Sequence, residues 1–119
     1  MKVIAIERAP ATEVKMEGVE GVRMRVLIGE EDGAPSFTMR LFELEPGGHT
    51  PQHAHPFEHE IIVRAGSGTL WTAAGEHTLE PGVVALVTGD VEHQFRAGPA
   101  GMEFYCLVPH EGHLPYKDR

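Results

Sequence analysis

Eight histidines in a chain of 119 residues are the first feature with chemical consequence, and the spacing of four of them matters. His53 and His55 flank Ala54. On an extended strand, side chains two apart project from the same face with Cα atoms roughly 6.5–7 Å apart, so two imidazoles there can converge on one ion. His59 follows Pro56 and Phe57 at the head of the apolar run Ile61-Ile62-Val63, and His93 lies within Val91-Glu92-His93-Gln94-Phe95. Several neutral imidazoles suit a borderline divalent cation such as Mn, Fe, Co, Ni, Cu or Zn. A single His-x-His pair is a weak signal, because most individual histidines are exposed or hydrogen-bonded residues, so the surrounding pattern has to carry the argument.

The elements that position these side chains read as all-β. No stretch keeps the i, i+3, i+4, i+7 apolar pattern for three turns, whereas short runs rich in β-branched and aromatic residues recur between Gly and Pro signals. Strands are expected near 3–6, 23–28, 36–45, 50–55, 60–64, 68–72, 76–79, 83–87, 91–96 and 102–108. Between them lie turn-forming segments such as Pro46-Gly47-Gly48, Ala65-Gly66-Ser67-Gly68 and Ala97-Gly98-Pro99-Ala100-Gly101. Many short strands at this spacing predict a sandwich or barrel. Within 36–45, Phe37, Met39 and Leu41 share one face before the parity changes to Phe42 and Leu44, which predicts a bulge or burial on both faces. The polar tail from Pro109 to Arg119 is expected to be a surface extension or an arm on a partner subunit.

Length and composition narrow the function further. At 119 residues the chain is expected to be one domain, 1–119. Ten Lys and Arg against 18 Asp and Glu leave a formal charge of −8, which repels nucleic-acid phosphates and anionic membrane surfaces. The longest apolar run, Val83 to Val87, is far short of the roughly 20 residues that cross a bilayer. The start, Met1 to Glu7, is too brief an apolar stretch for a signal peptide, so a cytoplasmic location is expected. One cysteine, Cys106, forms no internal disulfide. No Ser-His-Asp arrangement, phosphate-binding glycine loop or dinucleotide fingerprint is present, which leaves nucleophilic hydrolysis, phosphoryl transfer and hydride transfer without support.

Read as a whole, Gly47, five residues, His53-Ala54-His55, three residues, position 59, six residues and Gly66 resembles the first motif of the cupin superfamily. Most cupins carry Glu at the position that is His59 here, and Glu60 is one residue out of register. Gly82, five residues, Thr88-Gly89-Asp90, two residues, His93, three residues and Ala97 resembles the second motif, with Thr88, Asp90 and Ala97 replacing the family's Pro, Gly and Asn. Over nearly its whole length the chain is similar to small single-domain cupins that bind manganese through four histidines. The resemblance implies a double-stranded β-helix, or jelly-roll barrel, with a metal inside held by His53, His55, His59 and His93. Manganese is the first expectation and iron the next. It also implies a homodimer, with the N-terminal strands of about 1–28 at the interface.

Four imidazoles leave a divalent ion its full charge, and an octahedral preference leaves two positions open. The expected function is therefore a Mn- or Fe-dependent oxidoreductase of dioxygenase type acting on a small organic molecule. The alternatives are a metal-bearing ligand-binding module and a Lewis-acid isomerase or lyase. Glu58 and Glu60 are candidate acceptors for the outer nitrogens of ligating imidazoles, or else solvated carboxylates. Cys106 alternates with Phe104 and Val108. If that face is interior, Cys106 lies near the metal with Phe104 as a pocket wall; the alternative is an inert buried thiol. Phe37, Met39 and Trp71 are further expected pocket residues. His49 is expected at the pocket mouth or surface, and His77, His110 and His113 away from the metal. No catalytic acid or base is identified.

Overall fold

A computed structural model describes residues 1–117. Seven strands form one antiparallel sheet: β1 (Ala11–Glu13), β2 (Glu20–Ile28), β3 (Phe37–His49), β4 (His59–Thr72), β5 (Gly75–Leu79), β6 (Val84–Val87) and β7 (His93–Pro109). Their order is β1-β2-β3-β7-β4-β5, with β6 also on β4. β4 and β7 are the spine. Each runs through what the sequence divides into two strands, because their Gly-rich corners bend without leaving the ladder. Gly66 has a positive φ of 72°, and a side chain there would run into the Gly101 carbonyl. The sheet coils into the jelly roll that the motifs imply.

The interior is filled from β2, β3, β4 and β7. Phe95 stacks on Phe104 at 4.6 Å, and Phe104 on Phe42 at 5.3 Å, among Val22, Met24, Leu44, Val63 and Met102. Leu41, on the opposite face of β3, packs with Ala9 and Leu27 under the N-terminal segment. The parity change in β3 is therefore burial on both faces, since the β3–β7 register runs without a shift from Phe37 to Leu44.

Three expected elements differ. Val3–Ile6 makes no strand; a 3-10 turn at Ile6–Arg8 follows, and the first strand is Ala11–Glu13, because β2 offers its free edge only to that segment. Residues 50–55 are an extended connection, since Pro51 and Pro56 remove backbone donors that a ladder needs; His53 alone forms a bridge, to His93. The tail is no free arm. A short helix α1 (His110–His113) and a 3-10 turn (Leu114–Tyr116) fold back over one end of the chain's own barrel, anchored by His110, whose Nε2 donates to the Ala34 carbonyl at 2.6 Å. The last two residues of the expected tail lie outside the described residues.

Candidate metal centre

His59 opens β4 and His93 opens β7, so both come from the sheet's rigid spine. His53 is laid beside His93 by a reciprocal backbone pair, His53 N–H to His93 O at 3.1 Å and His93 N–H to His53 O at 2.9 Å. Thr50 fixes the same segment one step earlier, its Oγ1 accepting from the Phe95 N–H at 2.9 Å. His55 is placed by its carbonyl, which accepts the Asp90 N–H at 2.7 Å. Asp90 sits at φ 67°, a left-handed conformation that Asp tolerates better than most residues.

These four segments bring the four imidazoles together. Ring centroids of His55 lie 4.9 Å from His53, 4.5 Å from His59 and 5.0 Å from His93. His93 is 5.1 Å from His53 and 5.2 Å from His59. One ring nitrogen from each of His53, His55 and His93 lies within 4.8 Å of the others, close to the roughly 4.2 Å that separates two imidazole nitrogens across an ion bound at about 2.1 Å. His59 Nε2 is 2.6 Å from His55 Nε2. That is the distance of a hydrogen bond between the two rings.

The outer nitrogens are held by the backbone and by sulfur. His55 Nδ1–H donates to the Phe57 carbonyl at 2.8 Å, and His93 Nδ1–H to the Val91 carbonyl at 2.8 Å, which fixes both tautomers with Nε2 free to ligate. His59 Nδ1 lies 3.1 Å from Cys106 Sγ. Glu58 and Glu60 do not play this part: both are exposed. Burial lowers the pKa of all four rings, to about 4 for His53 and about 2 for His59, where the Arg40 guanidinium adds to the effect. All four are neutral at pH 7, the form in which imidazole binds metals. Among the described residues, the group whose ligand atoms lie close enough to hold one ion is His53, His55 and His93, and His59 adjoins it through His55.

The remaining candidates fall in varied places. Cys106 faces the interior, beside His59, and burial pushes its thiol pKa up. Phe104 is in the aromatic stack of the core rather than on an open wall. Phe37 is 65% exposed, and Met39 packs beside Leu41 on the outer face; neither lines an interior pocket, because they have the opposite parity to Phe42. His49 is half-buried at the end of β3, 3.8 Å from Glu20. Sequence reasoning missed Arg40, which donates to Cys106, and Tyr116 and His113, which pack in turn beside it. For Arg40 a signal existed: it shares the strand parity of Phe42 and Leu44, which places a charge on the inward face.

Fold and centre together define a cupin. Residues 40–108 match the cupin domain family, and the chain belongs to that family. It is 32% identical to the polyketide cyclase RemF from Streptomyces resistomycificus, covering 92% of this chain and 80% of that one with a TM-score of 0.87. It is also 32% identical over 79 residues to 1-methylthio-D-xylulose 5-phosphate methylsulfurylase of Rhodospirillum rubrum, covering 65% of this chain and 50% of that protein. The chain thus spans half the length of that curated relative. A sugar phosphate isomerase from Silicibacter pomeroyi shares the fold at 21% identity and a TM-score of 0.78, covering 91% of this chain and 75% of that one. Among the described residues no helix is long and apolar enough to cross a membrane.

Proposed function

We propose that this cupin is a metal-dependent enzyme that activates a carbonyl or enol oxygen of a small organic molecule for redox-neutral cyclisation or isomerisation. The observation that carries the reading is the convergence of four neutral imidazoles, with His55 and His59 at 2.6 Å. His53, His55, His59 and His93 would hold the ion; manganese is proposed first and iron next, on the likeness to four-histidine cupins. A divalent ion bound there supplies Lewis-acid polarisation of a substrate oxygen. The chain's own part is preorganisation. The Phe57 and Val91 carbonyls and Cys106 orient the rings, and the ring of Phe57, stacked on His55 at 4.2 Å, keeps water from one side. Among the described residues no carboxylate joins the cluster, so those residues orient and desolvate rather than act as a carboxylate base. The likeness to a polyketide cyclase over most of both chains supports redox-neutral chemistry.

The same donor set also supports dioxygenase chemistry, the reading that the sequence favours. One experiment separates them: protein loaded with Zn, Mn or Fe is incubated with β-diketones and poly-β-ketone thioesters under argon and under air. Cyclised or isomerised product with zinc under argon supports the proposal. Product formed only with Mn or Fe, in air and with dioxygen consumed, selects the oxidoreductase. Tight binding without turnover in any form selects the binding module.

We also infer that two copies of the chain pair. Ile62, Val84 and Leu86 are exposed on the outer face of β4 and β6, in a groove completed by Met39, Tyr105 and Leu107. Val3, 88% exposed, and Ile4 offer a matching apolar segment from a second copy, and so large an apolar surface is a feature of interfaces.

A further inference from the structure

We propose that Arg40, His113 and Tyr116 form a binding site for a carboxylate beside the histidine centre. This gives the substrate of the proposed reaction a carboxylate group, and to that extent rests on that reading.

Arg40 has no exposed surface and is the largest fully buried side chain among the described residues. Its Nη2 donates to Cys106 Sγ at 3.2 Å, while Nε and Nη1 have no partner among the described residues. No carboxylate pairs with it among the described residues. The guanidinium lies 4.9 Å from the ring centroid of Phe42 and 4.9 Å from that of Tyr116. One other buried side-chain nitrogen lacks a partner among the described residues, His113 Nδ1, and its ring stacks on that same Tyr116 at 6.0 Å and 11°. The buried side-chain nitrogens without partners among the described residues thus belong to two residues that both pack on Tyr116, and the guanidinium has no counterion among those residues.

Burying an unpaired charge is strongly unfavourable, and native side chains of this kind ordinarily find acceptors. A carboxylate supplies what is missing: acceptor oxygens in a plane that matches the guanidinium fork, and one negative charge. The aromatic neighbours favour a planar acid. The adjoining cavity of about 460 Å³, lined by Thr38, His113 and Tyr116, also carries Glu30, Glu31 and Asp32, whose charge opposes a phosphate dianion more than a carboxylate monoanion. The lysines there are already engaged, Lys2 with Asp32 at 3.0 Å and Lys117 with Glu30 at 3.9 Å. The site connects to the metal centre through a single sulfur, Arg40 to Cys106 at 3.2 Å and Cys106 to His59 at 3.1 Å.

The test is calorimetric titration of the full chain, metal-free and metal-loaded, with benzoate, with its neutral isostere benzamide and with inorganic phosphate. Benzoate is expected to bind both forms, benzamide at least tenfold more weakly. Arg40→Met, which keeps the stem and removes the charge, is expected to weaken benzoate at least tenfold while retaining its metal content by elemental analysis. If that variant fails to fold, His113→Phe and Tyr116→Leu are each expected to weaken benzoate threefold or more. The proposal is overturned if benzoate does not bind the wild-type chain, if Arg40→Met (or, should it not fold, both replacements) leaves its affinity unchanged, or if phosphate binds more tightly. Benzoate binding by a chain that takes up no metal overturns the proposed function and leaves this site standing.

Discussion

Acidification should destabilise the metal-free protein steeply, and His59 allows the slope to be worked out. Its pKa is lowered from 6.5 to about 2, chiefly by burial and then by the Arg40 guanidinium, and the residue is 6% exposed. A histidine whose folded pKa is depressed stays neutral in the folded chain while the unfolded chain takes up a proton. The stability present above pH 6.5 is therefore lost as the pH falls toward the folded value. For His59 the loss is about 1.4 kcal/mol for each pH unit below 6.5, or roughly 2 kcal/mol at pH 5. His53 and His113 are both lowered to about 4, burial again being the first cause. Discounted for solvent screening, the two together add roughly as much again. A total of roughly 4 kcal/mol is a large part of the about 5–15 kcal/mol that holds an ordinary domain folded. Urea unfolding in the presence of a chelator at pH 7, 6 and 5 measures it, and His59→Leu should flatten the slope by about 1.4 kcal/mol per pH unit. An unfolding midpoint that does not move between pH 7 and pH 5, or a His59→Leu variant with the wild-type slope, refutes the reasoning.

Other outcomes follow from the same geometry. His59→Ala should strip most of the metal, as measured by elemental analysis, whereas Glu60→Gln, a change to an exposed side chain, should leave it; the reverse pattern moves the ligand by one residue. Light scattering should give twice the chain's 13.0 kDa at micromolar concentration, and Leu86→Lys in the apolar groove should return the mass to that of a single chain. Gly68→Val should cost about 2–4 kcal/mol in denaturant unfolding, because a side chain there meets the backbone carbonyl of Arg96 and backbone yields far less readily than a flexible side chain.

The strands, the barrel and the four convergent histidines were legible because they rest on local signals: Gly-bounded alternating runs and two motifs with fixed spacing. What the sequence concealed depends on long-range pairing. Val3–Ile6 has the composition of a strand but finds no edge, since β2 begins its pairing with Ala11–Glu13. His53 and His55 read as neighbours on one strand, yet two prolines leave them on a connection whose geometry comes from His93 and Asp90, about forty and thirty-five residues away. Phe37 and Met39 look like pocket residues by type, and only their parity against Phe42 turns them outward. The tail looks free because its polar composition hides the contacts of His110, His113 and Tyr116, which exist only once the barrel supplies a rim.

The inward side chains of β3 and β7 show how the fold divides its burden. Toward one end they are Phe42, Leu44, Met102 and Phe104, an apolar column that stabilises the barrel; toward the other they are Thr38, Arg40, Cys106 and Val108, beside four neutral imidazoles. The costly groups are gathered at that end and covered by His110–Tyr116. Arg40 is the second cause, after burial, of the low pKa of His59, so its charge opposes any cation placed among the rings, a metal ion as much as a proton. A carboxylate on Arg40 cancels that opposition and should tighten metal binding, and by linkage the metal should tighten carboxylate binding by the same factor. Titrating metal with and without benzoate, and benzoate with and without metal, should therefore return one coupling factor greater than unity, and Arg40→Met should reduce it to one.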